Sequence, residues 1–74
     1  MQPYKNLSGI SGVAAYDFGF DRIIVQFDTG VIFTYTYDSA GRVNVEQMKI
    51  FAACGKGLHT YINQTPAVKY GYIR

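Results

Sequence analysis

One stretch limits the possible folds more than any other: Ile23-Ile24-Val25-Gln26-Phe27, then Asp28-Thr29-Gly30, then Val31-Ile32-Phe33-Thr34-Tyr35-Thr36-Tyr37. Two runs rich in β-branched and aromatic residues enclose a short polar turn, the pattern of a β-hairpin. Side chains alternate between the two sides of a strand, so the turn length decides which residues share a face. A three-residue loop with Gly30 left-handed pairs Phe27 with Val31 and Val25 with Phe33. Ile23, Val25, Phe27, Val31, Phe33, Tyr35 and Tyr37 then gather on one side, while Ile24, Gln26, Ile32, Thr34 and Thr36 form a half-polar, wetted side. A two-residue loop would instead set the aromatics opposite Ile24 and Gln26. The first register keeps the large residues together and is the expected one, with Phe33 and Tyr35 facing the core.

The remaining segments give weaker signals. Residues 1–9 read as a lead-in, loose over 1–7, because Pro3 and Gly9 interrupt regular structure. Ile10 to Tyr16 reads as a first strand, with Gly12 marking a bulge or a close backbone approach. Asp17-Phe18-Gly19-Phe20-Asp21 reads as a turn around a left-handed Gly19. Asp38-Ser39-Ala40-Gly41 reads as a loop. Asn44 and Gln47 match a capping box, and Val45, Met48, Phe51 and Ala52 recur at helical spacing, which predicts a helix over 45–54 closed by Gly55. A shorter helix carrying Leu58, Tyr61 and Ile62 follows and ends before Pro66, since the residue preceding proline resists helix. The tail from Ala67 to Arg74 is either a short strand or an extended coil.

Three strands need a cover on one face, and only the helices can supply it. The expected fold is therefore α+β: a three-stranded antiparallel meander packed against one or two helices, in a single domain over residues 1–74.

Composition narrows the function classes. The net charge of +2 permits contact with nucleic acid without arguing for it. A lone cysteine, Cys54, leaves no intramolecular disulfide and no cysteine-based zinc site, and it fits a reducing, cytoplasmic setting. No basic-then-apolar leader is visible, and no apolar run is long enough to cross a membrane. No metal site and no cofactor are expected.

Candidate chemistry is sparse. His59 is the only histidine, and its spacing from Cys54 does not place the two on one helical face. The surface or hydrogen-bonded role is therefore the expected one for His59. Cys54 reads as a small packed hydrophobe at a helix C-terminus, where a thiolate is disfavoured. Asp17, Asp21, Asp28 and Asp38 sit in turns, where their side chains bond nearby amides. Gly55-Lys56-Gly57 lacks the frame of a phosphate-binding loop and reads as a turn between helices. No nucleophile, base and orienter assemble, so an enzyme is not expected. A binding surface has more support. Lys56, His59, Lys69 and Arg74 interleave with Tyr61, Tyr70 and Tyr72, pairing phosphate-neutralising groups with rings on which bases stack. The alternative is a protein–protein or self-association module using an open sheet edge or the face bearing Ile24 and Ile32.

The order Ser8-x-Ile10, Val13, Tyr16-Asp17, Ile23-x-Val25-x-Phe27-x-x-Gly30 and Tyr35-Thr36-Tyr37 resembles the KTSC domain. That is the small domain named after the C-terminus of some lysyl-tRNA synthetases, also found free-standing in bacteria. Gly55-Lys56-x-Leu58, Ile62 and Tyr70-x-Tyr72 continue the likeness, which covers about residues 8–72. The link from Asp38 to Val43 is longer than the family's and lacks its proline. The resemblance implies a non-enzymatic module that binds RNA, tRNA in particular, or a nucleic-acid-associated protein. It also implies mainly structural roles for the motif residues Tyr16, Gly30, Tyr35 and Tyr37.

Overall fold

The computed structural model describes residues 1–7 and 12–73. Ser8 and Ile10 of the family-like pattern, the predicted start of the first strand, and Arg74 lie outside the described residues. In chain order the elements are β1 (Gln2–Pro3), β2 (Val13–Gly19), β3 (Arg22–Phe27), β4 (Ile32–Thr36), α1 (Tyr37–Ala40), α2 (Arg42–Cys54), α3 (Leu58–Gln64), α4 (Pro66–Lys69) and β5 (Tyr72–Ile73). The strands lie side by side in the order β1-β2-β3-β4-β5, every neighbouring pair antiparallel. The α+β class is as expected. The three-stranded meander is enlarged at both margins to five strands, and the cover consists of four helices among the described residues.

The central hairpin has the predicted register. Val25 pairs with Phe33 and Ile23 with Tyr35. The Phe27 amide donates to the Val31 carbonyl at 2.9 Å, and Gly30 takes φ +90°. Its inward face is the floor of the core: Ile23, Val25 and Tyr35 are buried against Val45, Met48 and Ala52 of α2, Leu58 and Ile62 of α3, and Val68 of α4. Full burial of each such aliphatic contributes about 1.5–3 kcal/mol, which is what holds helices this short onto the sheet. Phe33 is half-buried, not fully inside as expected, because it stands where the helical cover ends.

Several expectations are corrected. Residues 1–7 are tied down: Gln2 and Pro3 pair with Tyr16 and Ala15, the Tyr4 amide donates to the Ala14 carbonyl at 3.0 Å, and the Leu7 amide donates to the Gly55 carbonyl at 2.7 Å. Tyr4 supplies the reason, since its ring is buried and its hydroxyl accepts from the Leu58 amide at 3.3 Å. The β2–β3 turn is tighter than expected. Gly19 pairs with Arg22, leaving Phe20 and Asp21 at the tip, and Gly19 is not left-handed. Lys49 of α2 reaches this tip, donating to the Phe20 carbonyl at 3.0 Å and to Glu46 at 2.8 Å.

Asp38 to Ala40 is helical. The capping box lies at Thr36 and Ser39: the Thr36 hydroxyl accepts from the Ser39 amide at 3.0 Å, and the Ser39 hydroxyl accepts from the Thr36 amide at 2.9 Å. Tyr37 therefore opens a helix instead of extending the strand. Its hydroxyl donates to Glu46 at 2.7 Å, which raises the Tyr37 pKa, while Lys49 and then Tyr37 hold the Glu46 carboxyl below its usual range. Helix α2 starts at Arg42, earlier than predicted, and Asn44 is not its cap. Asn44 donates to the Ala40 carbonyl at 2.8 Å and accepts from the Tyr61 hydroxyl at 2.7 Å, joining α1, α2 and α3. Gly55 closes α2 in the left-handed region, as predicted. Pro66 both ends α3 and starts α4, where its missing amide costs no helical bond. The tail resolves into α4 and β5.

Candidate functional site

A cavity of about 380 Å³ opens at the end of the sheet where the β3–β4 loop approaches α3 and α4. The hairpin supplies Phe27, Phe33 and Tyr35 from its inward face, together with Asp28, Thr29 and Val31 around the turn. Helix α3 supplies His59, Ile62 and Asn63, α4 supplies Lys69, and Gly12 precedes β2. The hairpin register decides this wall: had the strands paired one residue out, Phe27 and Phe33 would lie on opposite faces of the sheet and could not share it.

The aromatic lining is ordered. Phe27 and Phe33 meet edge to face with centroids 5.6 Å apart, and Phe27 meets His59 at 6.2 Å in the same manner. Phe33 stacks on Tyr72 at 4.1 Å and 18°. Tyr35 is 1% exposed, and burial, followed by the neighbouring Tyr72, pushes its hydroxyl pKa up to about 12. Tyr35 therefore stays neutral at physiological pH.

His59 has an orienter that the sequence did not reveal. The Gly12 amide donates to its Nδ1 at 3.0 Å, and a Cβ at Gly12 would press on the ring from 3.3 Å. Gly12 is thus a close backbone approach, one of the two roles expected for it. The Asp28 amide donates to the Gly12 carbonyl at 2.7 Å, so the β3–β4 turn, the entry to β2 and α3 are laced together at this one residue.

The predicted binding residues divide. His59 and Lys69 line the cavity, and Tyr72 backs its Phe33 wall. Tyr70 is 76% exposed, with the Lys69 ammonium 5.8 Å from its ring centroid. Tyr61 is not part of this surface, because its ring packs on Phe51 at 5.3 Å and its hydroxyl is bonded to Asn44. Lys56 is exposed on the α2–α3 turn and does not line the cavity. Cys54 is exposed, contrary to its expected packed role, and is also outside the cavity. Of the family-like motif residues, Tyr16 is buried with its hydroxyl donating to Gln2 at 3.1 Å, and Gly30 shapes the turn.

Phe27, Asp28 and Asn63 were missed as site residues. The shared face of Phe27 and Phe33 was already implied by the register, but the approach of α3 that turns this face into a wall was not. Among the described residues no three His, Cys, Asp or Glu side chains come together as a metal-ligand set, and no helix is long and apolar enough to cross a membrane. Compared with protein-family models, curated proteins and solved structures, the chain finds no match in any of the three.

Proposed function

We propose that this chain is a small non-enzymatic RNA-binding module whose contact surface is the end of the sheet around the cavity. The stacked Phe33–Tyr72 pair beside Lys69 carries this reading. Paired rings next to a cation suit a ligand that has both π faces and phosphates. Exposed Tyr70 extends the same surface. The motifs shared with the KTSC domain support the same reading by resemblance.

The test is fluorescence anisotropy with tRNA and with a short single-stranded RNA at about 50 and 200 mM salt. Lys69 is the one lysine or arginine among the described residues of this lining, so about one phosphate contact on a single strand predicts a roughly two- to threefold loss between those salts. Lys69→Glu weakens binding, whereas Lys56→Glu, away from the cavity, has the smaller effect. Absence of saturable binding at the lower salt rejects the reading.

A second reading is association through the face of the sheet opposite the helices. Ile32 and Ile73 are each 48% exposed, and Ile24 lies on the same side. Edge-to-edge pairing has less support, because two-residue strands blunt both margins. A dimer in sedimentation that Ile32→Lys disperses without unfolding supports association, and a strict monomer at high concentration rejects self-association.

A further inference from the structure

We infer that the cavity takes one unpaired nucleobase, so that the module holds single-stranded RNA by a single extruded base. This inference rests on the RNA-binding reading and narrows it.

The chemistry starts at His59. Its Nδ1 accepts a hydrogen bond from the Gly12 amide at 3.0 Å, and a ring nitrogen that accepts carries no proton. The neutral ring therefore holds its proton on Nε2. His59 lines the cavity, and this N–H is the donor assigned here to an entering molecule. An acceptor stands close by. Asp28 Oδ1 is 3.9 Å, and His59 Cε1 3.3 Å, from the point a Gly12 Cβ would occupy. The carboxylate and the imidazole thus flank one backbone position.

A donor and an acceptor on one lining with Phe27 and Phe33 match a flat ring with a mixed hydrogen-bonding edge. Every nucleobase has two π faces and such an edge. In a duplex that edge is taken up by the opposing base, so only an unpaired base presents it. A purely apolar ligand would leave His59 and Asp28 desolvated without partners, and a bare anion would not use the aromatic walls. The volume of about 380 Å³ lies near the lower end of the range of roughly 300–1,000 Å³ for small-molecule sites, so it suits one nucleotide. Lys69 on the same lining serves the phosphate.

The decisive experiment compares three ligands by anisotropy with the unaltered chain: a five-nucleotide single-stranded RNA, the same strand in a duplex, and a strand abasic at every position. The expected result is that the duplex and the abasic strand each bind about tenfold or more weakly than the intact strand. His59→Leu, checked for native circular dichroism, then weakens the intact strand severalfold and leaves the abasic strand unchanged. Equal binding of all three ligands overturns this inference and leaves the RNA-binding reading standing. Failure of all three to bind overturns both.

Discussion

The rings of Phe33 and Tyr72 lie 4.1 Å apart and within 18° of parallel. This contact joins the hairpin, formed by neighbouring residues, to the last two-residue strand, which returns after four helices. Strand β5 pairs with Thr34 and Tyr35 of β4, and so short a strand has little stability without a side-chain anchor. Tyr72→Ala removes the anchor, and a cost of about 1 kcal/mol beyond its area burial is expected. Hydrogen exchange should show β5 and the β4 amides facing it losing protection, while β3 stays protected. Unchanged protection in β5 would show that the backbone pairing suffices.

Tyr35 and Phe33 sit on the same face of β4 but differ in depth. Tyr35 is 1% exposed, whereas Phe33 is half-buried and borders the cavity. Urea unfolding should give a cost of about 3–5 kcal/mol for Tyr35→Ala, close to the entire stability of so small a chain. Phe33→Ala should cost about 2 kcal/mol, because part of its surface is already wet. A Phe33 variant as damaged as the Tyr35 variant would place the cavity wall inside the core.

Glycine positions separate in the same assay. A Cβ at Gly71 would overlap the carbonyl oxygens of Ala67 and Ser39 and crowd the Ala40 Cα, all backbone atoms that cannot swing aside. Gly30 has nothing nearby and carries only the conformational demand of φ +90°. Gly71→Ala is therefore expected to cost about 3 kcal/mol or more, and Gly30→Ala about 1 kcal/mol. The reverse order would mean that β5 is not held against α1 and α4.

Alkaline pH should weaken the fold through Tyr35. Its folded pKa is raised to about 12 from an ordinary value near 10, so between those values the folded chain binds more protons than the unfolded one. Stability from this group is complete below about pH 10 and is lost as pH rises towards 12. Tyr35→Phe has no hydroxyl to ionise, and its stability should decline less over that interval. Parallel urea midpoints at pH 9 and 11 for the two proteins provide the check. Equal declines would assign the loss to the other tyrosines and the lysines.

Much of the candidate site lay within reach of the sequence at the level of the hairpin. Strand periodicity and the Asp28-Thr29-Gly30 turn together require Phe27, Phe33 and Tyr35 to share a face, and His59 and Lys69 belong to the basic groups interleaved with tyrosines in the second half of the chain. Tyr61 and Lys56 were grouped with them only by proximity along the chain. A helix carries neighbouring residues to different sides, and Tyr61 found Asn44 and Phe51.

The sequence by itself determined the α+β class, the hairpin register, the left-handed Gly30 and Gly55, and the stop at Pro66, because each follows from local periodicity or from a backbone restriction within a few residues. Tertiary structure alone decided the outer strands, since two-residue strands carry no periodic signal and form only where a neighbouring edge receives them. It also decided the helix at Tyr37, where a reciprocal Thr36–Ser39 cap competes with continued extension, and the burial of Tyr4 that ties down the first residues. The cavity belongs to the same group: its walls come from segments far apart in the chain, brought together when the apolar faces of α2, α3 and α4 settle on Ile23, Val25 and Tyr35.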